Sequence, residues 1–348
     1  MVLPLPNYLV IAGLALLSLG LIYAALPWII LGVFRCLLWP RYSFVVEGQE
    51  NLPKTGPAVL AINHVTWIDG FVMAANLPRR ARALVNASYI GLPVIRHLAS
   101  RVGLIPVPFS KPSALRTSIK ATRDALERGE VVALFPEAQL TRNGLLGPFY
   151  RGIEVIIDGK EQIPVVPVYL DNLWGSVFSY SGGRFFRKWP KGWRRTVVVV
   201  YGRPVKPPIT IFALRQAVLE AGVRAFELRR GQVGPLETLD PSKPRFEHPV
   251  LGLLTSAASD YHAADVNQVG YKEGTVGHPV PGVALKVEDD AGNDLGPNET
   301  GRVIALVAGK GKWVDTGVRG SLDRDGFLRI EAQVEGTGST LSTVPASN

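Results

Sequence analysis

The chain has 348 residues, is 47% hydrophobic, contains one cysteine, Cys36, and carries a formal net charge of +9. That length admits one sizeable domain plus something smaller, and a lone cysteine excludes a disulfide framework or a cysteine-rich metal site. The charge is uneven: residues 1–235 hold 28 Lys/Arg and 13 Asp/Glu, a net of +15, whereas residues 236–348 hold 10 and 16, a net of −6. Two modules with different surroundings are expected, the basic one facing an anionic partner such as lipid headgroups, nucleic acid or a phosphorylated substrate.

No charged side chain precedes Arg35. The run YLVIAGLALLSLGLIYAAL (8–26) supplies the roughly 20 apolar residues that a membrane span needs, and it lacks the basic n-region of a secretory signal. Pro27 permits a break there. WIILGVFRCLLWPRY (28–42), with Trp28, Trp39 and Tyr42 suited to the headgroup level, predicts an interfacial helix. Residues 1–41 thus read as an anchor. The positive charges all follow it, so the remainder is expected on the cytoplasmic side of an inner membrane.

From residue 42 to about 232 the pattern alternates strand with helix. YSFVVEG (42–48), AVLAIN (58–63), RALVNA (82–87), GLIPV (103–107), EVVALFPE (130–137), IPVVPVYL (163–170) and RTVVVVYGRPV (195–205) predict strands, several of them buried runs. KPSALRTSIKATRDALERG (111–129) predicts an amphipathic helix capped by Ser113 and ended by Gly129. TIFALRQAVLEAGVRAFELRRG (210–231) predicts a final long helix. The fold class is α/β, a mixed sheet flanked by helices. Residues 233–249 are linker-like, 250–333 read as a small β-rich segment in which DDAGND makes a tight turn, and 334–348 are low in complexity and expected to be disordered.

The stretch VLAINHVTWIDG (59–70) places His64 five residues before Asp69. On one helix such residues are rotated by about 140° and share no face. Here His64 falls just past a strand and Asp69 near the start of the next helix, so a tight turn can fold the carboxylate back onto the imidazole. The carboxylate then fixes the tautomer and leaves the other ring nitrogen as a general base. No G-x-S-x-G segment supplies a serine nucleophile. The spacing alone leaves a second reading open, a loop histidine capped by a helix-terminal aspartate. Further on, PEAQLTRNG (136–144) brings Glu137 and Arg142 to another strand end, where ligands bind in open α/β sheets. Glu137 suits a glycerol hydroxyl and Arg142 a phosphate; a solvated polar loop is the alternative.

With these motifs in view, residues 40–230 resemble the glycerolipid acyltransferases, the lysophosphatidic acid acyltransferase family. NHVTWID is similar to their H-x-x-x-x-D motif, GLIPVPF (103–109) sits where their second motif falls, LFPEAQLTRNG is similar to their third motif F-P-E-G-T-R-S, and IPVVPV (163–168) is similar to the fourth. The resemblance implies direct acyl transfer: His64 deprotonates an acceptor hydroxyl that attacks an acyl thioester, Asp69 orients the ring, and Asn63, Gly103, Lys111, Glu137, Thr141 and Arg142 line the substrate site. It implies no bound cofactor and no metal, with acyl-CoA or acyl-ACP as co-substrate, a lysophospholipid such as 1-acyl-glycerol-3-phosphate as acceptor, and acyl carrier protein as a candidate partner. The sequence departs from the pattern at Ala138, where glycine is usual, and at Leu140, which holds the arginine position. Lys111 is the nearest cation to the second motif. FPEAQLTRNG and LDNLWGSVFSYSGGRFF (170–186) are more similar to the branch acting on lysophosphatidylethanolamine, fused to an acyl-ACP synthetase. VNQVGYKEGTVGHPVPGVALKVEDDAGNDLGPNETGRV (266–303) and KWVDTGVRGSLDRDGFLRI (312–330) resemble part of an adenylate-forming synthetase, with Val318 in place of the ribose-binding aspartate and no lysine-bearing phosphate loop. That segment is expected to be a remnant that does not adenylate. The whole chain could then be a transferase in phospholipid biosynthesis, a 2-acylglycerophosphoethanolamine acyltransferase in lipid repair, or a non-catalytic lipid-binding scaffold.

GRFFRKWPKGWRR (183–195) mixes six Arg/Lys with four aromatics. Beside a membrane anchor, Arg184, Arg187, Lys188, Trp189, Trp193, Arg194 and Arg195 are expected to meet anionic lipid headgroups rather than single-stranded nucleic acid.

Overall fold

The computed structural model describes residues 7–108, 112–183, 187–189, 193–229, 239–240, 242–263, 266–333 and 340–342. Helix α1 (Asn7–Leu38) opens the chain and carries Pro27 inside it. The break permitted at Pro27, with the expected separate interfacial helix after it, does not occur. Proline removes one N–H from a helix without obliging the chain to turn, and the flanking apolar residues continue the helical run. Most of α1 is exposed apolar surface, from Leu9 to Leu37. Its last turns pack on the body of the protein: Phe34 stacks on Phe71 at 4.1 Å, and Arg35 donates from Nε and Nη2 to the Ala75 carbonyl at 2.8 and 2.6 Å.

A seven-stranded sheet follows, in the order β1 (Tyr42–Glu47), β7 (Arg195–Tyr201), β6 (Val165–Asp171), β2 (Ala58–Ile62), β5 (Val131–Leu134), β3 (Ala81–Asn86), β4 (Leu104–Val107). All pairings are parallel except β6 with β7. The central strands AVLAI and VVAL are buried on both faces, as the uninterrupted apolar runs demand. One face carries α2 (Asp69–Asn76) and the end of α1, closing a core around Leu60, Ile62, Val72 and Met73. The other carries α4 (Pro112–Glu127), α5 (Gly152–Ile157) and α6 (Ile211–Leu228) over Val59, Ala61, Ile153, Leu214 and Val218. The helix α4 begins at Pro112, which puts Ser113 inside it rather than at its cap. Two helices have no counterpart in the sequence reading, α3 (Pro93–Val102) and the short α5.

Among the described residues the C-terminal module is all β. Strand β8 (Arg245–His248) lies within the stretch expected to be linker, pairing with β9 (Gly252–Ser256). Within the tail expected to be disordered, β17 (Thr340–Ser342) pairs with β8. Between these lie a ribbon of β10 (Tyr261–Ala263) and β11 (Val266–Gln268), the two-residue β12 (His278–Pro279), and a four-stranded meander of β13 (Val283–Glu288), β14 (Gly301–Val307), β15 (Trp313–Leu322) and β16 (Leu328–Gln333). Strand β13 packs on α6, and its Ala284 belongs to the core under that helix.

Candidate active site

Strand β2 ends at Ile62, and two residues later the chain presents His64 at the carboxyl edge of the parallel strands. Asp69 opens α2 and is fully buried. Its Oδ2 lies 2.9 Å from His64 Nδ1 and accepts the Val65 and Thr66 main-chain N–H groups at 2.6 and 2.8 Å; its Oδ1 accepts the Thr66 hydroxyl. A carboxylate held in this way can only accept a hydrogen bond from the ring, so Nδ1 carries the hydrogen and, in the neutral imidazole, Nε2 is left with the lone pair. The ring rests on Phe135 at 4.0 Å between centroids, and its side chain is 22% exposed. On the far side of the loop, Thr66 bridges to Ser179 and Trp67 N–H donates to the Phe178 carbonyl at 3.2 Å.

Glu137 leaves the neighbouring strand β5 and is 2% exposed. Its Oε1 accepts the His64 N–H at 2.7 Å and its Oε2 the Gly147 N–H at 2.7 Å. Burial raises its pKa to about 7; the two backbone hydrogen bonds and nearby Arg215 oppose the shift. Both oxygens therefore hold main chain, which makes Glu137 a bracket joining two loops. Thr141 is likewise buried: its N–H donates to the His64 carbonyl at 3.0 Å and its hydroxyl to the Leu145 carbonyl at 2.9 Å. Ala138, at the position where glycine is usual, takes a left-handed conformation with φ 52°.

The other residues expected to line the site are placed differently. Asn63 is buried against β6, donating to the Leu170 carbonyl at 3.1 Å and accepting the Leu170 N–H at 2.7 Å, which makes it a strand clamp. Gly103 ends α3 with φ 91° and packs beside Ala81, at the amino ends of β3 and β4. Those strands run parallel to β2 and β5, so Gly103 sits at the edge of the sheet opposite His64. Arg142 turns its guanidinium onto tyrosine rings, 3.2 Å from the centroid of Tyr180 and 4.5 Å from that of Tyr261. Lys111 lies outside the described residues.

In the basic aromatic segment, Trp189 and Trp193 are 92% and 85% exposed. Arg187 and Arg194 are exposed as well, and Arg194 stands 5.7 Å over Trp39 at the end of α1. Arg41 donates to the Trp193 carbonyl at 2.6 Å, which fixes the segment beside the apolar helix. Lys188 and Arg195 turn inward instead. Lys188 donates to the Ser179 carbonyl at 2.6 Å, and Arg195 donates to the Asn172 and Trp174 carbonyls at 2.9 and 2.8 Å. Burial lowers the pKa of both. Their place at a lipid surface is thereby corrected: they stitch loops together. Arg184 lies outside the described residues.

Residues 43–171 match the family model described as Acyltransferase. That segment is therefore similar to acyltransferases over a little more than a third of the chain. A 1-acyl-sn-glycerol-3-phosphate acyltransferase of Brassica napus, chloroplastic, is 29% identical over 134 residues, covering 38% of this chain and 38% of that protein. The 1-acyl-sn-glycerol-3-phosphate acyltransferase of Bacillus subtilis is 27% identical over 134 residues, 38% of this chain and 65% of that protein. A solved structure, the 1-acyl-sn-glycerophosphate acyltransferase PlsC of Thermotoga maritima, is 18% identical with a TM-score of 0.44, covering 57% of this chain and 77% of that one. The match thus spans about two fifths of the Brassica protein's length. His64, Asp69, Glu137 and Thr141 all fall inside the matched segment. Phe135, the first residue of the F-P-E segment, lies under the histidine ring, while two groups around the site carry no sequence signal of function: Gly147 against Glu137, and the buried Arg215 of α6, which donates to the Leu146 and Gly147 carbonyls at 2.9 and 3.2 Å. Among the described residues no group of three or more His, Cys, Asp and Glu side chains is placed to hold a metal ion.

Proposed function

We propose that this chain is a membrane-associated lysophospholipid O-acyltransferase of phospholipid biosynthesis. It moves an acyl group from acyl-CoA or acyl-ACP to the free hydroxyl of a lysophospholipid such as 1-acyl-glycerol-3-phosphate. The observation that carries this reading is the His64–Asp69 pair at 2.9 Å with the carboxylate fully buried and the ring partly open. In the proposed reaction, His64 Nε2 takes the proton of the acceptor hydroxyl as its oxygen bonds to the thioester carbonyl carbon. The tetrahedral intermediate then expels sulfur, and the imidazolium returns the proton to the leaving thiolate. Asp69 stabilises the imidazolium and keeps the ring in position. Glu137 and Thr141 hold the His64 main chain from the β5 side.

A lipid surface as partner is supported by the exposed apolar α1, the exposed Trp189 and Trp193, and Arg187 and Arg194 beside them. Lys and Arg concentrated after α1 favour the cytoplasmic face of an inner membrane. One observation favours a second acceptor, a 2-acylglycerophosphoethanolamine: the apolar Leu140 holds the arginine position of the third motif, and the next guanidinium, Arg142, lies over Tyr180 and Tyr261.

The test is acyl transfer by the full chain in nanodiscs, from labelled acyl-CoA and acyl-ACP, to a panel of lysophospholipids. Transfer is expected with at least one donor, and the preferred acceptor decides between the two headgroups. Transfer to none of the panel from either donor would leave the scaffold reading standing instead.

A further inference from the structure

A short ribbon of the C-terminal module reaches the segment after β5. Strands β10 and β11 pair antiparallel, with Tyr261 opposite Gln268. Gln268 is buried, and its amide pairs with the backbone of residues 140–142 as a neighbouring strand would. Its Oε1 accepts the Arg142 main-chain N–H at 2.7 Å, and its Nε2 donates to the Leu140 carbonyl at 2.9 Å. Between those two bonds lies Thr141, whose N–H reaches the His64 carbonyl. Tyr261, on the facing strand, takes the Arg142 guanidinium over its ring. One ribbon therefore grips both the main chain and the side chain of the same stretch.

A second contact lies at the other end of that loop. Arg215 holds the Leu146 and Gly147 carbonyls, and the Gly147 N–H in turn holds Glu137. The Arg215 guanidinium packs against Gly326 of the C-terminal module so closely that a Cβ there would come within 1.9 Å of Nη1. Residues 135–147 include no helix or strand, so such ties do the work that a regular backbone ladder does elsewhere.

We infer that the C-terminal module is a working part of the acyltransferase site, with Gln268 a positioning residue that holds residues 140–142 against the His64 loop on the acceptor side. The hydrogen-bond geometry stands alone, whereas the acceptor-side effect rests on the transferase reading above. Removing the Gln268 amide orphans a donor at Arg142 and an acceptor at Leu140, both at the edge of the same loop. The loop then loosens while β5 and α2 stay as they are.

The experiment uses the full chain in nanodiscs with Gln268→Met, which keeps the length of the side chain and makes neither bond. Hydrogen–deuterium exchange is read at residues 139–143 and, as internal reference, at β5 and α2. Exchange at 139–143 is expected to quicken at least about tenfold with the reference unchanged, since opening this loop no longer breaks two bonds. Kinetically, the KM for the lysophospholipid is expected to rise at least about fivefold with the KM for the thioester unchanged, because a merely unstable variant lowers the active fraction and not one KM. Gln268→Glu, which keeps an acceptor for the Arg142 N–H, should recover part of both effects. Unchanged exchange at 139–143 overturns the inference whatever the activity, and so does faster exchange across the whole chain. Loosened exchange with the acceptor KM unmoved overturns the positioning role. A wild-type chain that transfers nothing defeats the transferase reading, and the exchange result still decides whether the module grips the loop.

Discussion

The loops after β2 and β5 leave neighbouring parallel strands at one edge of the sheet, and they are held in opposite ways. The first is organised from within, around one of its own side chains, with outside ties at Glu137, Thr141, Phe178 and Ser179. Within residues 64–69 a single carboxylate, Asp69, gathers the His64 ring, two main-chain N–H groups and the Thr66 hydroxyl. The second borrows its shape from afar: Glu137 from the His64 N–H, residues 140–142 from Gln268, and residues 146–147 from Arg215. Proton-transfer geometry is thus written into six consecutive residues, while the wall beside it is a tertiary product. The two should respond differently to substitution.

The largest effect is expected from breaking the local loop. Asp69→Asn can accept fewer of the hydrogen bonds that Asp69 takes and presents the ring with an amide, favouring the wrong tautomer. Initial rates of acyl transfer should fall by about 10³-fold or more, by analogy with the orienting carboxylate of a catalytic triad. A variant near wild-type rate would remove that role from Asp69.

In the second loop the effect should be on stability. Gln in place of Glu137 can accept only through one oxygen, so one buried N–H, of His64 or Gly147, loses its partner, at a cost of about 1–3 kcal/mol in chemical denaturation. Glu137 also carries a pH signature. Its carboxyl ordinarily titrates near 4.5 and is raised to about 7 in the fold. Across that interval the folded chain binds more protons than the unfolded one, so the Glu137 contribution to stability is highest below the ordinary carboxylate range. It falls as pH rises towards about 7, by up to about 3 kcal/mol, and is flat above. Subtracting the Glu137→Gln curve from the wild-type curve should isolate this slope, and a level difference curve over that range would contradict the assignment.

The same contrast sharpens in the basic segment, where neighbours in sequence divide into solvent-facing and inward groups. Arg187→Glu with Arg194→Glu should weaken binding to anionic vesicles by about 1 kcal/mol or more per residue, at unchanged thermal midpoint. Unaltered vesicle binding would separate this surface from the membrane. The smallest effect is expected at Ala138. Relief of its left-handed backbone in Ala138→Gly should raise stability by about 1 kcal/mol or less, the gain being partly offset by glycine's greater freedom when unfolded. A loss of stability would mean that the methyl group packs usefully.

This division also explains what could be read from the chain alone. The strands of the central sheet were legible because apolar runs such as AVLAI and VVAL can only be buried. The His64–Asp69 contact was legible because a strand end followed by a helix start converts a gap of five into proximity. The motifs alone place Asn63 and Gly103 at the substrate site, and a motif does not state which way a side chain turns. Asn63 faces β6, Gly103 lies at the opposite edge of the sheet, and Arg142 lies on Tyr180 and Tyr261. Gln268 and Arg215 gave no local signal, since their partners are more than 60 residues away. Pro27 misled for a physical reason: a proline lowers the stability of a helix locally, and a long apolar run absorbs the loss.

The central claim is that His64 is the base, and the most direct measurement is acyl transfer by His64→Ala beside the wild type, in nanodiscs, at saturating thioester and acceptor. The account predicts that transfer drops to the level of the protein-free control while hydrogen exchange in β2, β5 and α2 stays as in the wild type. Transfer that survives at a comparable rate in the variant would contradict that role, and would make the His64–Asp69 pair a structural feature of the loop.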